Sequence, residues 1–375
     1  MRRLAGRILT PGGFVDGELE IGVDGRIDAV TGDPVPAGRE RDGAGPLVLP
    51  GFVDLHVHGG GGRDVMEGGD AAAAIARLHA RHGTTSILAT TMTSPPAELE
   101  SAFAALAPHV RTRPMGGARV HGVHLEGPYI NAGRLGAQPG FARPLSWDEL
   151  RRLQAHAPIR LVTLAPEVPG NLAAIAGLRE AGIRVQLGHT AGTYEDGVAA
   201  LAQGAGGFTH LFNAMTGLHH RTPGMAGAPP AHAEYAEIIP DLLHVHPGAI
   251  RVALRAVPRL FCVTDSTAAS GMPDGEYRLG RHTVTKCLAG VRLADGTLAG
   301  SALTMDEARR NLAGPLGLTL AEASARTSTY AADYLGLEGR GRLVPGAWAD
   351  AVVLGRDLAI VQVVVEGEAL ALADA

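Results

Sequence analysis

The chain has 375 residues, 46% of them hydrophobic, and a formal net charge of −5. That length supports one large core with a small satellite domain, and the mildly acidic balance, with no Lys/Arg cluster, excludes nucleic acid as a partner. The start Met1-Arg2-Arg3-Leu4-Ala5-Gly6-Arg7 is interrupted by charge before a signal-like apolar core forms, and no run of about eighteen apolar residues follows, so neither membrane association nor export is expected and a cytoplasmic location is. Cys262 lies in the apolar run Leu260-Phe261-Cys262-Val263 and Cys287 in a polar hairpin-like stretch, which indicates neither a disulfide framework nor a cysteine zinc site. Lys286 is the only lysine, so chemistry that needs a lysine in a particular place has one position to draw on.

In chain order, residues 7–10, 17–21 and 26–30 read as short strands separated by Pro11-Gly12-Gly13 and Asp24-Gly25 turns. The runs at 351–354 and 360–365 read the same way, so the two termini are expected to pair in a small β-sandwich domain made of residues 1–49 and 340–375. Between them, residues 50–339 alternate apolar strand-like runs with helix-like stretches, the pattern of a parallel α/β fold. Strand ends are expected near His56, Thr91, His124, Ala165, Gly188, His210, Asp241 and Asp265. Helices are expected over 70–81, 97–110, 172–181 with Gly182 as its stop, and 194–203, and Ser146-Trp147-Asp148-Glu149 has the pattern of a capping box. Eight strand–helix units predict a (β/α)8 barrel of the TIM type. An open dinucleotide-binding sheet is disfavoured because no Gly-x-Gly-x-x-Gly follows the first strand.

The active face of such a barrel is built from the C-terminal ends of its strands. Those ends carry His56 and His58, then Glu126 in His124-Leu125-Glu126-Gly127-Pro128, then His189, His210 and Asp265. Residues two apart on a strand share a face, so His56 and His58 can aim at one ion. Any one of these residues has an ordinary explanation as a hydrogen-bonded loop side chain. Four imidazoles and two carboxylates gathered at one barrel mouth are a costly concentration of buried polarity unless a cation satisfies them.

The segments Pro50-Gly51-Phe52-Val53-Asp54-Leu55-His56-Val57-His58, His124-Leu125-Glu126-Gly127-Pro128, Gly188-His189-Thr190, Thr209-His210-Leu211-Phe212-Asn213-Ala214-Met215, Arg221-Thr222-Pro223-Gly224-Met225, Val263-Thr264-Asp265 and 298–305 resemble the N-acetylglucosamine-6-phosphate deacetylases, a branch of the amidohydrolase superfamily. The resemblance runs in order from about residue 5 to 370. It implies that Glu126, His189 and His210 hold one divalent metal and that His56 and His58, with Glu126, hold a second. One or two ions per subunit are therefore expected, with zinc suited to the imidazole-rich set and iron or another divalent ion also compatible. Many amidohydrolases bridge two metals with a carboxylated lysine; Lys286 follows Asp265, beyond the last barrel strand, so Glu126 is left as the protein carboxylate between the metal positions.

The activity implied is hydrolysis of N-acetylglucosamine 6-phosphate to glucosamine 6-phosphate and acetate, by a homodimer. Asp265 is expected to accept the water proton and return it to the departing amine. The resemblance puts Ala137, Gln138, Asn213, Ala214, Arg221, Asp241, His244, Leu298, Ala299 and Gly300 against the substrate, with Arg221 on the phosphate, where a guanidinium grips bidentately. Alternatives are an amidohydrolase acting on N-acetylgalactosamine 6-phosphate or another N-acyl substrate, and a non-catalytic scaffold, which the complete ligand set disfavours. Three positions depart from the family pattern: Gln138 where a histidine is usual, Leu242 where a glycine is usual, and Ser266 where an alanine is usual. The first two leave the acyl and sugar preference open.

Overall fold

The computed structural model describes residues 2–43, 45–288 and 290–371. Its centre is a barrel of eight parallel strands: Phe52–Val57, Thr84–Thr91, Arg119–Glu126, Ile159–Leu164, Arg184–Leu187, Gly207–Phe208, Tyr235–Ile238 and Arg259–Cys262. The first six are hydrogen-bonded in chain order, and the last two form a parallel pair. Backbone bonds from Leu211 N–H to the Glu237 carbonyl (2.9 Å) and from Asp265 N–H to the His56 carbonyl (3.0 Å) close the ring at both gaps. Every strand ends within three residues of the position expected from sequence.

The expected helices are present as Ala71–Arg81, Pro96–Arg111, Asn171–Glu180 and Tyr194–Ala202. Pro96–Arg111 shows why: proline occupies its first turn, where no amide partner is needed, and Leu99, Ala102, Phe103, Leu106 and Ala107 are buried at helical spacing. The box at 146 is half made. Ser146 Oγ accepts from Glu149 N–H (3.3 Å), but the Glu149 carboxylate is drawn away to Tyr129 and Arg143. Gly275–Leu279, His282–Cys287 and Gly290–Arg292 form a three-stranded insertion after the eighth strand. Lys286 lies on it, with its ammonium donating to the carbonyls of Ala269 (3.3 Å) and Met272, remote from any bridging role.

The termini join in one seven-stranded sheet, and they meet through Leu47–Pro50, which pairs with Arg2–Thr10 on one side and Ala351–Leu354 on the other. Side chains alternate along that short strand: Val48 packs into the sheet's own core with Ile8, Leu19 and Val353, while Leu47 and Leu49 join the barrel core. Each such fully buried aliphatic side chain contributes about 1.5–3 kcal/mol. One short strand thus contributes side chains to two different cores.

A charge cluster ties the terminal sheet to the base of the barrel. Arg119, opening the third barrel strand, makes two 2.8 Å bonds to Glu366, which also pairs with Arg113 and Arg340. Arg340 in turn holds the buried Asp350 at 2.6 Å. Burial alone would raise the Glu366 carboxyl, but Arg119 and Arg340 outweigh it and hold the group down at about 2, from an ordinary 4.5. A carboxyl depressed in the folded state stabilises fully above its unfolded value and loses that contribution as pH falls toward its folded value. Glu366→Gln is therefore expected to cost about 1–2 kcal/mol at pH 7, after allowing for solvent screening. In urea unfolding the difference from wild type should shrink steadily as pH is lowered from about 4.5 toward 2.

Candidate metal centre and active-site cleft

Six side chains expected at the strand ends converge in one buried cluster. The Nε2 atoms of His189 and His210 both lie 3.1 Å from Glu126 Oε1 and 3.1 Å from each other. His58 Nε2 is 3.0 Å from Glu126 Oε2 and 3.3 Å from Asp265 Oδ1, while His56 Nε2 is 3.4 Å from both carboxylates and 3.2 Å from His58 Nε2. Glu126, His189 and His210 form one group whose possible ligand atoms are all within 4.8 Å of one another, and His56, His58 and Asp265 form a second.

For three of the rings, the other nitrogen decides what faces the centre. His189 Nδ1 lies 2.9 Å from the Arg134 carbonyl, His58 Nδ1 3.2 Å from the Thr90 carbonyl, and His56 Nδ1 3.2 Å from the Glu237 carboxylate. Those oxygens can only accept, so each Nδ1 donates, and a ring that carries no second proton turns an Nε2 lone pair inward. Lone pairs and two carboxylates then face one another in a space with no donor of their own, apart from Gln138 Nε2 at 2.5 Å from Glu126 Oε2. Such an arrangement repels itself unless a cation occupies its middle. The two carboxylates call for positive charge at this point, which an ion or a second proton on the rings supplies. Burial opposes charge on both rings, yet Glu126 and Asp265 lift His58 to about 9 and His56 well above the usual imidazole range. The same rings hold the Glu126 and Asp265 carboxyls low against their own desolvation. The residues present fit a divalent ion.

His124 is not part of the ligand set, although it stacks 4.6 Å from His56. Its Nδ1 faces the Leu55 carbonyl (3.1 Å) and its Nε2 the Thr163 hydroxyl (2.7 Å), and burial keeps the ring neutral. Beneath the centre, Asp54 accepts from His56 N–H (3.2 Å), Thr264 N–H (3.2 Å) and the Thr264 hydroxyl (2.6 Å), which ties the first strand to the eighth. Glu237 Oε2 receives the His56 ring and lies 3.3 Å from the His210 amide, so one buried carboxylate touches both halves of the centre. Reasoning from sequence missed Glu237. Its signal was a lone acidic residue inside the strand run Tyr235-Ala236-Glu237-Ile238.

The cluster floors a cleft of ≈ 740 Å³, including its open mouth. Of the residues expected at the substrate, Ala137, Gln138, Asn213, Ala214, His244, Leu298 and Gly300 line it. Ala299 is buried behind the lining, with its amide bonded to Val291. Asp241 acts one step back: its Oδ2 meets His244 Nδ1 at 2.7 Å and its Oδ1 accepts the amides of Leu243 and His244. Arg221 is exposed, with its guanidinium 2.7 Å from the His220 ring, and is not among the lining residues. Met92, Leu279 and Thr297 line the cleft without having been singled out from sequence.

The departures also find places. Gln138 accepts the Thr93 amide on Oε1 (2.7 Å), which fixes its amide so that Nε2 donates to Glu126. Ser266 Oγ bonds the Gly59 carbonyl (3.0 Å), helping to pin the glycine turn behind His58. Leu242 adopts φ 65°, a left-handed conformation that suits glycine and costs a branched side chain about 1 kcal/mol or more.

A barrel whose first strand ends in a His-x-His pair, whose third ends in glutamate and whose fifth, sixth and eighth run into His189, His210 and Asp265 is the framework of a metal-dependent hydrolase. The chain belongs to the amidohydrolase family, which matches residues 47–370 and is a class of divalent-metal enzymes. It is 40% identical to the N-acetylgalactosamine-6-phosphate deacetylase of Escherichia coli O157:H7, over 97% of each chain. It is 37% identical to the N-acetylglucosamine-6-phosphate deacetylase of Lysinibacillus sphaericus, over 92% of this chain and 91% of that one. Among solved structures, the N-acetyl-D-glucosamine-6-phosphate deacetylase of Mycobacterium smegmatis superposes with a TM-score of 0.90 at 36% identity, covering 99% of this chain and 100% of that one. A mutant of that enzyme, in complex with N-acetyl-D-glucosamine-6-phosphate, gives 0.89 at 36% identity over 98% of both chains.

Because Glu237 orients His56 and braces the turn at His210, Glu237→Leu is expected to weaken divalent-metal binding by about 10–100-fold. Glu237→Gln, which keeps an acceptor, should fall between that variant and wild type. Equilibrium dialysis with elemental analysis reads both, and wild-type affinity in Glu237→Leu would show that His56 is held without it.

Proposed function

We propose that this protein is a metal-dependent deacetylase that hydrolyses N-acetylglucosamine 6-phosphate to glucosamine 6-phosphate and acetate in amino-sugar catabolism. The observation that carries the reading is the inward convergence of Nε2 lone pairs on Glu126 and Asp265 at the floor of a cleft large enough for a phosphorylated sugar. The full-length similarity to deacetylases of phosphorylated amino sugars supplies the substrate class. In this reading Glu126, His189 and His210 hold one divalent ion, and His56 and His58 with Glu126 hold a second, with zinc as the metal expected from the donor set. Bound there, a divalent ion would supply Lewis acidity to the acetyl carbonyl and would bring the acidity of water toward neutrality.

The remaining work falls to the protein. Asp265 is ionised and faces the centre, so it takes the proton from the attacking water and hands it to the amine nitrogen as the C–N bond breaks. Gln138, held by Thr93, keeps Glu126 in place without adding charge. His244, whose positive form Asp241 favours against burial, faces the sugar phosphate. Arg221 lies outside the cleft of its own subunit, so its grip on the phosphate is expected from a neighbouring subunit of a homodimer in the cytoplasm. A galactosamine-configured substrate is the second reading, carried by the 40% identity to the Escherichia coli N-acetylgalactosamine-6-phosphate deacetylase.

Acetate release from the 6-phosphates of N-acetylglucosamine and N-acetylgalactosamine, and from the unphosphorylated sugars, tests the proposal. One phosphorylated sugar should be turned over with a kcat/KM at least about 100-fold above its unphosphorylated form, as a site built to pair a charged group requires. Equal turnover of both forms would remove the phosphate role of Arg221 and His244. Asp265→Asn should lower kcat about 100- to 10,000-fold with metal content retained; undiminished kcat would eliminate Asp265 as the proton carrier.

The double variant His56→Asn, His58→Asn should keep the fold and one ion while losing the other. An unchanged metal-to-protein ratio by elemental analysis would count against a second ion at these rings.

A further inference from the structure

The cleft differs in chemistry from side to side. With eight strands in a closed ring, the second and third lie across the axis from the sixth and seventh. Asn213 follows the sixth strand and His244 the seventh, and both bring polar groups to the lining. Met92 follows the second strand, and it shares one apolar cluster with Leu279 of the insertion and with Ala299, against which Ala137 packs. Met92 and Leu279 are 2% and 1% exposed and share one apolar cluster, so this wall is packed from behind.

Met92 is also fixed close to the centre by its neighbours in sequence. Two residues before it, the Thr90 carbonyl receives His58 Nδ1 at 3.2 Å. One residue after it, the Thr93 amide donates to Gln138 at 2.7 Å, and Gln138 reaches Glu126 at 2.5 Å. Leu279 is drawn to the same corner because Gly280 N–H donates to Asp64 at 2.8 Å, in the turn that follows His58.

An acetamide carbon bears two arms, and one of them is already placed. The nitrogen must lie at Asp265 to receive its proton, and Gly300 borders that carboxylate closely enough that a Cβ there would come within 3.6 Å of Asp265 Oδ1. The sugar therefore extends toward Gly300, His244 and Asn213. The other arm is then left to the apolar cluster of Met92, Leu279 and Ala299.

Resting on the deacetylase reading above, we propose that Met92 and Leu279 form an acyl corner that receives the acetyl methyl group and limits the length of the acyl chain that is cleaved. The neutral Gln138 at its edge leaves this corner without a positive charge, as an alkyl group requires. A closed apolar corner discriminates by about 10–200-fold for each methylene group. Methionine yields more than a branched side chain does, so the wild type should sit toward the lower end of that range for N-propionyl substrate.

The test is kcat/KM for the N-acetyl, N-propionyl and N-butyryl forms of the preferred hexosamine 6-phosphate, in wild type, Met92→Ala and Leu279→Ala. Met92→Ala should raise the butyryl-to-acetyl ratio by about 10-fold or more, and Leu279→Ala should move it in the same direction. Leu279 stands on a separate element, so it still decides the matter where Met92→Ala does not fold. Folded variants that cleave the acetyl substrate with an unchanged ratio would overturn the acyl corner and leave the deacetylase reading intact. Wild-type protein that turns over no phosphorylated N-acetyl hexosamine would overturn both.

Discussion

Mutual repulsion among buried acceptors is the constraint around which this chain is organised. Four imidazoles and two carboxylates each have a neighbour in the cluster at 3.0–3.4 Å, and three of the rings commit their Nδ1 donors elsewhere: to the Arg134 and Thr90 carbonyls and to Glu237. An isolated buried carboxylate costs several kcal/mol, so this geometry is held only because the rest of the molecule over-determines it. The barrel supplies that rigidity. Asp54 binds the first strand to the eighth beneath the centre, and Glu237 binds the seventh to both His56 and the turn at His210.

Backbone conformation tells the same story at the strand ends. His189, His210 and Asp265 have φ of 49°, 31° and 51°, a region that side-chain-bearing residues seldom adopt. Each costs of order 1–3 kcal/mol, and their coincidence with the chemistry-bearing positions marks strain kept for function. A strand that simply continued would alternate its side chains between core and helix layer. The left-handed turn instead breaks the alternation just past the last ladder bond and redirects the side chain to the barrel mouth. Asp265 then has its amide fixed by the His56 carbonyl and its carbonyl fixed by the Ser301 amide (2.7 Å).

Much of this was legible from residues alone because barrel geometry converts sequence order into spatial order. Once strands end near His56, His124, Gly188, His210 and Asp265, their polar residues must share one mouth, and the structure brings them together. The inner support was less visible. Glu237, Asp54 and Thr90 look unremarkable in sequence because their role depends on which ring nitrogen they face, and that follows from strand register and rotamer. The three-stranded insertion was read only as hairpin-like, since its strands bury one residue each, Leu279, Val284 and Val291, too few to impose a clean alternation. Arg221 shows the opposite limit: a motif places it near the substrate, while in one subunit its guanidinium turns to His220 outside the cleft.

The departures from the family pattern acquire meaning from the same geometry. A histidine beside Glu126 would bring a group able to carry charge; Gln138 brings a fixed amide whose oxygen is already committed to Thr93 and whose nitrogen can only donate. That exchange removes a titrating group from beside Glu126. Leu242 works in the other direction. Its left-handed φ is retained although the glycine that would relax it is gone, so the turn must be imposed by its surroundings: Asp241 accepts the amides of Leu243 and His244, and the leucine side chain packs against the main core. The position of His244 is thereby set by hydrogen bonds and packing rather than by a flexible hinge. Under the proposed function, a cleft fixed by hydrogen bonds at His244 and apolar at Met92 and Leu279 would select its substrate by shape at both arms of the scissile amide, with the cation-demanding centre between them.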